Sequence, residues 1–173
     1  VLYFSGQKLV IRNNCKLFWN EAGLSGGSVY IDGKTGKCHI SISLTKIANN
    51  YAVSHGGALF FTSTNFMSIR NALLSYNSAL GQGGALYIYF SLPEFSFVHV
   101  SSTTFISNSA SESGSIIMTG ITEIKVSDSE IKSSKRGNLG TGYTNMVALH
   151  GAQINVENVT FTTVWKSFVV LDA

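Results

Sequence analysis

Residue types that carry chemistry are few in this chain, and they are scattered. Its acids are Asp32, Asp128, Asp172 and six glutamates. A glycosidase or a Ca²⁺-dependent lyase needs such carboxylates gathered as an acid/base pair or as a ligand set. Only Asp128 and Glu130 share a face at strand spacing, and an exposed strand or turn accounts for them better than a catalytic dyad. His55 precedes a glycine pair and His150 precedes Gly151, where the aligned positions hold Ser25, Gln82 and Ser113. A polar turn position explains both histidines better than a general base does. Cys15 and Cys38 fall in adjacent repeats, either as a disulfide meeting across a corner or as two separate buried thiols. Cys38-His39 has no second ligand pair at zinc spacing near it. Asn158-Val159-Thr160 is an N-glycosylation sequon, which matters in a secretory compartment. No nucleophile motif, phosphate loop or cofactor fingerprint occurs, so no catalytic, metal-binding or cofactor-binding residue is assigned and no cofactor is expected.

The strongest pattern is structural. Four segments superimpose on an asparagine followed six residues later by a glycine: Asn20 and Gly26, Asn50 and Gly56, Asn77 and Gly83, Asn108 and Gly114. An apolar residue stands three before each asparagine (Leu17, Ile47, Leu74, Phe105) and an alanine two after it (Ala22, Ala52, Ala79, Ala110). A second glycine follows in three copies, as Gly27, Gly57 and Gly84, with Ser115 in the fourth, and an apolar triplet comes next each time. The asparagines are 30, 27 and 31 residues apart. Columns that hold while the spacing varies mean stacked coils joined by turns of unequal length.

Each period contains short runs rich in Val, Ile, Phe, Tyr and Thr. These are Gln7 to Arg12, His39 to Ile47, Ser96 to Val100, Ile121 to Val126 and Ala152 to Val156, and they read as strands. No stretch keeps a helical period, and the one proline is Pro93. Parallel strands without helices to cover them are stable when coils of about three strands stack on one another. The pattern therefore predicts an all-β, right-handed parallel β-helix of about six coils of 22 to 31 residues, forming one domain or a segment of a longer solenoid over residues 1–173. The asparagines are expected at a turn, tolerating left-handed backbone and bonding to the next coil, and the glycine pair is expected to supply positive φ.

Composition fits a neutral surface rich in hydroxyl groups. Charged residues are 12% and the net charge is +3, whereas serine and threonine number 37. Lys132, Lys135 and Arg136 form the densest basic group, at the start of and within the polar insertion Ser133 to Asn145, which reads as a solvated loop and not as a nucleic-acid surface. No apolar run reaches the 18 residues of a membrane span. Val1 to Phe4 and Phe168 to Leu171 read as the first and seventh copies of one strand, with no recognisable cap. Open edges at both ends suggest end-to-end self-association or neighbouring coils of the same polypeptide.

Phe105-Ile106-Ser107-Asn108 matches an FxxN motif, and Gly56-Gly57-Ala58-Leu59 and Gly83-Gly84-Ala85-Leu86 match a GGA(I/L/V) motif. In these the chain resembles the chlamydial-type polymorphic outer-membrane protein repeats over roughly Leu17 to Ile117, with degenerate copies elsewhere. The resemblance implies a secreted or surface-exposed right-handed β-helix, often adhesive, carried in a much larger polypeptide. The expected function is a non-enzymatic structural or adhesive scaffold, as a filament subunit or an adhesin segment with glycan or cell-surface ligands. A carbohydrate-active β-helix enzyme is the second reading. An ice- or crystal-binding solenoid is the third, and Thr62-Ser63-Thr64 and Thr160 with Thr162-Thr163 do not recur in one column as it would require.

Overall fold

The computed structural model of the protein describes residues 1–33, 38–63, 65–89, 96–112, 114–132, 144–149, 153–162 and 168–172. Those residues form parallel strands throughout and no helix. The first coil comprises β1 (Leu2–Phe4), β2 (Lys8–Ile11), β3 (Lys16–Phe18) and β4 (Glu21–Ala22). The second comprises β5 (Val29–Asp32), β6 (His39–Ser43), β7 (Lys46–Ala48) and β8 (Tyr51–Ala52). The third holds β9 (Leu59–Thr62), β10 (Phe66–Arg70), β11 (Leu73–Ser75) and β12 (Ser78–Ala79). The fourth holds β13 (Leu86–Tyr89), β14 (Phe97–Ser101), β15 (Thr104–Ile106) and β16 (Ser109–Ala110). The fifth contributes β17 (Ile116–Thr119), β18 (Glu123–Ser127) and β19 (Glu130–Lys132). The sixth contributes β20 (Thr144–Leu149), β21 (Gln153–Glu157) and β22 (Thr160–Thr162), and β23 (Phe168–Asp172) opens a seventh.

Each strand pairs with its equivalents one coil before and after, which produces a β-solenoid with four sides. Among the described residues one sheet has seven strands, two have six and the fourth has four. Two expectations are corrected by this count. A complete coil carries four strands where about three were expected, because a two-residue strand follows each ladder asparagine. The complete turns number four, and the fifth and sixth coils lack that short strand among the described residues.

The interior is a set of apolar ladders parallel to the axis. Ile40, Met67, Val98 and Ile124 form one and Ile42, Ile69, Val100 and Val126 another, all buried and paired in register. Ile47, Leu74, Phe105 and Ile131 fill the third side. Burying each such side chain contributes about 1.5–3 kcal/mol, offset by chain entropy. The fourth side is short, and its inward column is alanine: Ala22, Ala52 and Ala79 are buried there and Ala110 is half-buried.

The corners differ from expectation in three ways. His39 to Ile47 is two strands, because the chain turns at Leu44 with φ +50°. That corner recurs with positive φ at Asn13, Asn71, Ser102, Asp128 and Asn158. The ladder asparagines are not themselves left-handed; the residue before each one is, at Trp19, Asn49, Tyr76 and Ser107. Of the glycine pair, only the first has positive φ, from 64 to 70° at Gly26, Gly56, Gly83 and Gly114. The second is required by close approach: a Cβ on Gly57 would lie 2.2 Å from the Gly84 carbonyl oxygen and 2.3 Å from that of Ser78.

Candidate functional site

The repeat's signature residues meet in one continuous hydrogen-bonded column. Nδ2 of Asn20 donates to Oδ1 of Asn50 at 2.9 Å, Asn50 to Asn77 at 2.8 Å and Asn77 to Asn108 at 2.9 Å. Each receiving oxygen also accepts the backbone N–H of the asparagine one coil earlier, at 3.0 to 3.1 Å. The second Nδ2 proton of Asn50, Asn77 and Asn108 goes to the carbonyl of Leu17, Ile47 or Leu74. Since only an oxygen can accept from the backbone N–H groups, the network fixes the orientation of every amide. Asn50, Asn77 and Asn108 are buried, and Asn20 is half-buried at the rim.

The remaining candidates do not converge. Cys15 and Cys38 are free thiols, which corrects the disulfide alternative. They occupy different corners: Cys15 precedes β3, whereas Cys38 precedes β6. In the second coil the position matching Cys15 is Thr45, beyond the whole of β6, since Cys15 and Thr45 carbonyls accept from Lys46 and Leu73 in turn. A five-residue strand spans about 17 Å, and a disulfide needs Cα atoms within about 7 Å. Cys15 Sγ donates to the Arg12 carbonyl at 2.9 Å, much as the hydroxyls of Thr45, Thr103 and Ser129 donate to carbonyls two residues earlier. Cys38 is buried, and burial pushes its thiol pKa up.

Asp128 and Glu130 have separate partners. Asp128 Oδ1 accepts from Nδ2 of Asn158 at 2.8 Å, and Glu130 pairs with Lys132 at 2.8 Å. The sequon asparagine Asn158 is exposed at its corner. His55 Nδ1 accepts from the backbone N–H of Gln82, and its ring stacks 4.7 Å from that of Tyr87. His150, Ser113, Pro93, Lys135, Arg136 and the segment 165–167 lie outside the described residues. Among the described residues no three His, Cys, Asp or Glu side chains gather as a metal site, and no helix is long and apolar enough to cross a membrane.

Three exterior features were missed in reading the sequence. Tyr3, Tyr30, Phe60 and Tyr87 stack along one face with ring centroids 5.0 to 5.4 Å apart. On the next face His39, Phe66 and Phe97 do the same at 5.7 and 5.5 Å. Beside them Arg70 Nη2 lies 3.3 Å from His99 Nδ1, and burial, then Arg70, then Lys125 hold the His99 pKa below its ordinary value. The signal for all three was available once each strand, and not only the asparagine, was aligned across coils.

No family model, curated protein or solved structure matches this chain.

Proposed function

We propose that the chain is a non-catalytic scaffold, an adhesive or structural stretch of β-solenoid belonging to an extracellular or cell-surface protein. The observation that carries this reading is the asparagine ladder. The residues that define the repeat spend their hydrogen-bonding capacity on the neighbouring coils, so what recurs in the sequence is what holds coil to coil. Asp128, Glu130 and His55 are likewise engaged one at a time, by Asn158, Lys132 and Gln82 in turn. The exposed sequon at Asn158 and the resemblance to polymorphic outer-membrane protein repeats support the extracellular setting.

The test is turnover. Purified protein incubated with plant and microbial polysaccharides, with and without Ca²⁺, is expected to release no reducing or unsaturated ends. Release that disappears in Asp128→Ala or Glu130→Ala, with folding intact, overturns the scaffold reading in favour of a carbohydrate-active enzyme.

A further inference from the structure

One corner of the solenoid carries side chains that the fold does not need. The residue before each ladder asparagine adopts left-handed backbone: Trp19 (φ 56°), Asn49 (φ 56°), Tyr76 (φ 55°) and Ser107 (φ 53°). These four form one column, since the N–H groups of Trp19, Asn49 and Tyr76 donate to the carbonyls of Ala48, Ser75 and Ile106 in the coil that follows. Asparagine suits such a backbone, whereas a bulky aromatic residue there is uncommon and strained. Strain of that kind is kept where a side chain's position is itself useful. Nor does packing repay it: Trp19 is 78% exposed and Tyr76 is 61% exposed. Among the described residues neither ring stacks on another ring.

The spacing identifies a ligand class. Trp19 and Tyr76 are two coils apart, about 9.6 Å at about 4.8 Å per parallel-strand step. That matches the two-residue repeat of an extended β-1,4-linked glycan, in which every second pyranose presents the same face. An aromatic ring offers a flat apolar surface to the C–H face of a pyranose, and Trp and Tyr do so at low entropic cost. Between the two rings stands Asn49 and beyond them Ser107, both half-buried. Neither side chain has a protein hydrogen-bond partner among the described residues, which leaves an amide and a hydroxyl for sugar hydroxyl groups. The stacked Tyr3-Tyr30-Phe60-Tyr87 ladder is a poorer platform, because its ring faces are covered by one another.

We propose that the Trp19–Asn49–Tyr76–Ser107 corner is a binding strip for an extended β-1,4-linked polysaccharide lying parallel to the solenoid axis. The inference rests on the scaffold reading and deepens it by naming what the scaffold holds. The corner faces sideways from the axis, so a coil added before the first would extend the strip and leave it uncovered.

The experiment is retention of the 173-residue chain on insoluble cellulose and on chitin, compared with Trp19→Asn, Tyr76→Asn and the double variant. Asparagine is chosen because Asn49 already occupies the column, so folding is kept, and thermal melts followed by circular dichroism check this. The expected result is retention of the wild type on at least one matrix, about tenfold weaker binding in each single variant, and none in the double variant, with melting temperatures no lower than wild type. Absence of wild-type retention on both matrices overturns the strip, as does retention that the double variant keeps. Release of reducing ends in the same tubes is the separate result that strikes the scaffold reading and leaves the strip standing.

Discussion

Asn77 makes four hydrogen bonds through its side-chain amide, and its burial keeps water from replacing any of them. Truncation to alanine strands the backbone N–H and one Nδ2 proton of Asn50, which is itself buried. A stranded buried donor costs about 1–3 kcal/mol, so Asn77→Ala is expected to lower unfolding free energy by about 3–5 kcal/mol in urea titrations. Asn20 sits half-buried at the rim, where solvent can replace the Asn50 contact, and Asn20→Ala should cost about 1 kcal/mol. Equal losses at the two positions would mean that the ladder does not act as a buried network. The glycines give a second contrast of the same kind. Gly57→Ala drives a Cβ into two carbonyl oxygens of the adjoining coil, whereas a Cβ on Gly23 meets nothing within 4 Å. Thermal melts should show Gly57→Ala destabilised by about 3 kcal/mol or more and Gly23→Ala within about 0.5 kcal/mol of wild type.

At the scale of the strand, β14 sets a titratable group against two cations. His99 lies between Ser68 of β10 and Lys125 of β18 in register, with Arg70 of β10 beside it and Lys125 in turn 3.9 Å from Glu157 of β21. Its folded-state pKa is lowered, by burial first and then by Arg70 and Lys125. Between that lowered value and the ordinary histidine value of about 6.5, the unfolded chain holds a proton that the folded chain lacks. The stability this group contributes is therefore present above about pH 6.5 and lost as pH falls through that window. Urea titrations at pH 7.5 and 5.0 should show a drop in wild type that is smaller in His99→Phe; an equal drop in both would assign it to other groups. Strand register is also where sequence and structure part company. The asparagine and glycine columns were legible because each demands one residue type: an amide that copies itself along the axis, a left-handed corner, a backbone-to-backbone approach. The corner at Leu44 was not legible, since leucine is a poor signal for positive φ and the alternation of His39–Ser43 runs on into Lys46–Ala48 without a break in composition. The two-residue strands were hidden for the opposite reason, being too short to show any alternation. The Trp19 and Tyr76 column was visible as two aromatic residues before two ladder asparagines, but only the structure revealed that they stand at a strained corner, exposed and unstacked among the described residues.

For the molecule as a whole, the sheets are uneven in a way that bears on self-association. The sheet begun by β1 has seven strands, and those begun by β2 and β3 have six each among the described residues. Suppose a second copy stacks on the edges of β21 and β22 with its own β2 and β3. Its β1 must then lie against β20, and β23 already pairs there. Seating the copy further along the axis lets its β1 pair with β23 but leaves a one-strand gap on two sides, and each unpaired buried backbone group there carries a penalty. Simple head-to-tail stacking of the 173-residue chain by itself is thus opposed by strand count, and its association requires β1 or β23 to give way. Removing residues 163–173 levels that end. By sedimentation velocity at matched concentrations, the chain ending at residue 162 should form larger species than the 173-residue chain. Placing Pro at Val10, in the edge strand β2, should reduce them, because proline cannot donate to a ladder. Equal assembly by the two lengths would show that β23 is displaced without cost and that strand count does not govern how copies meet.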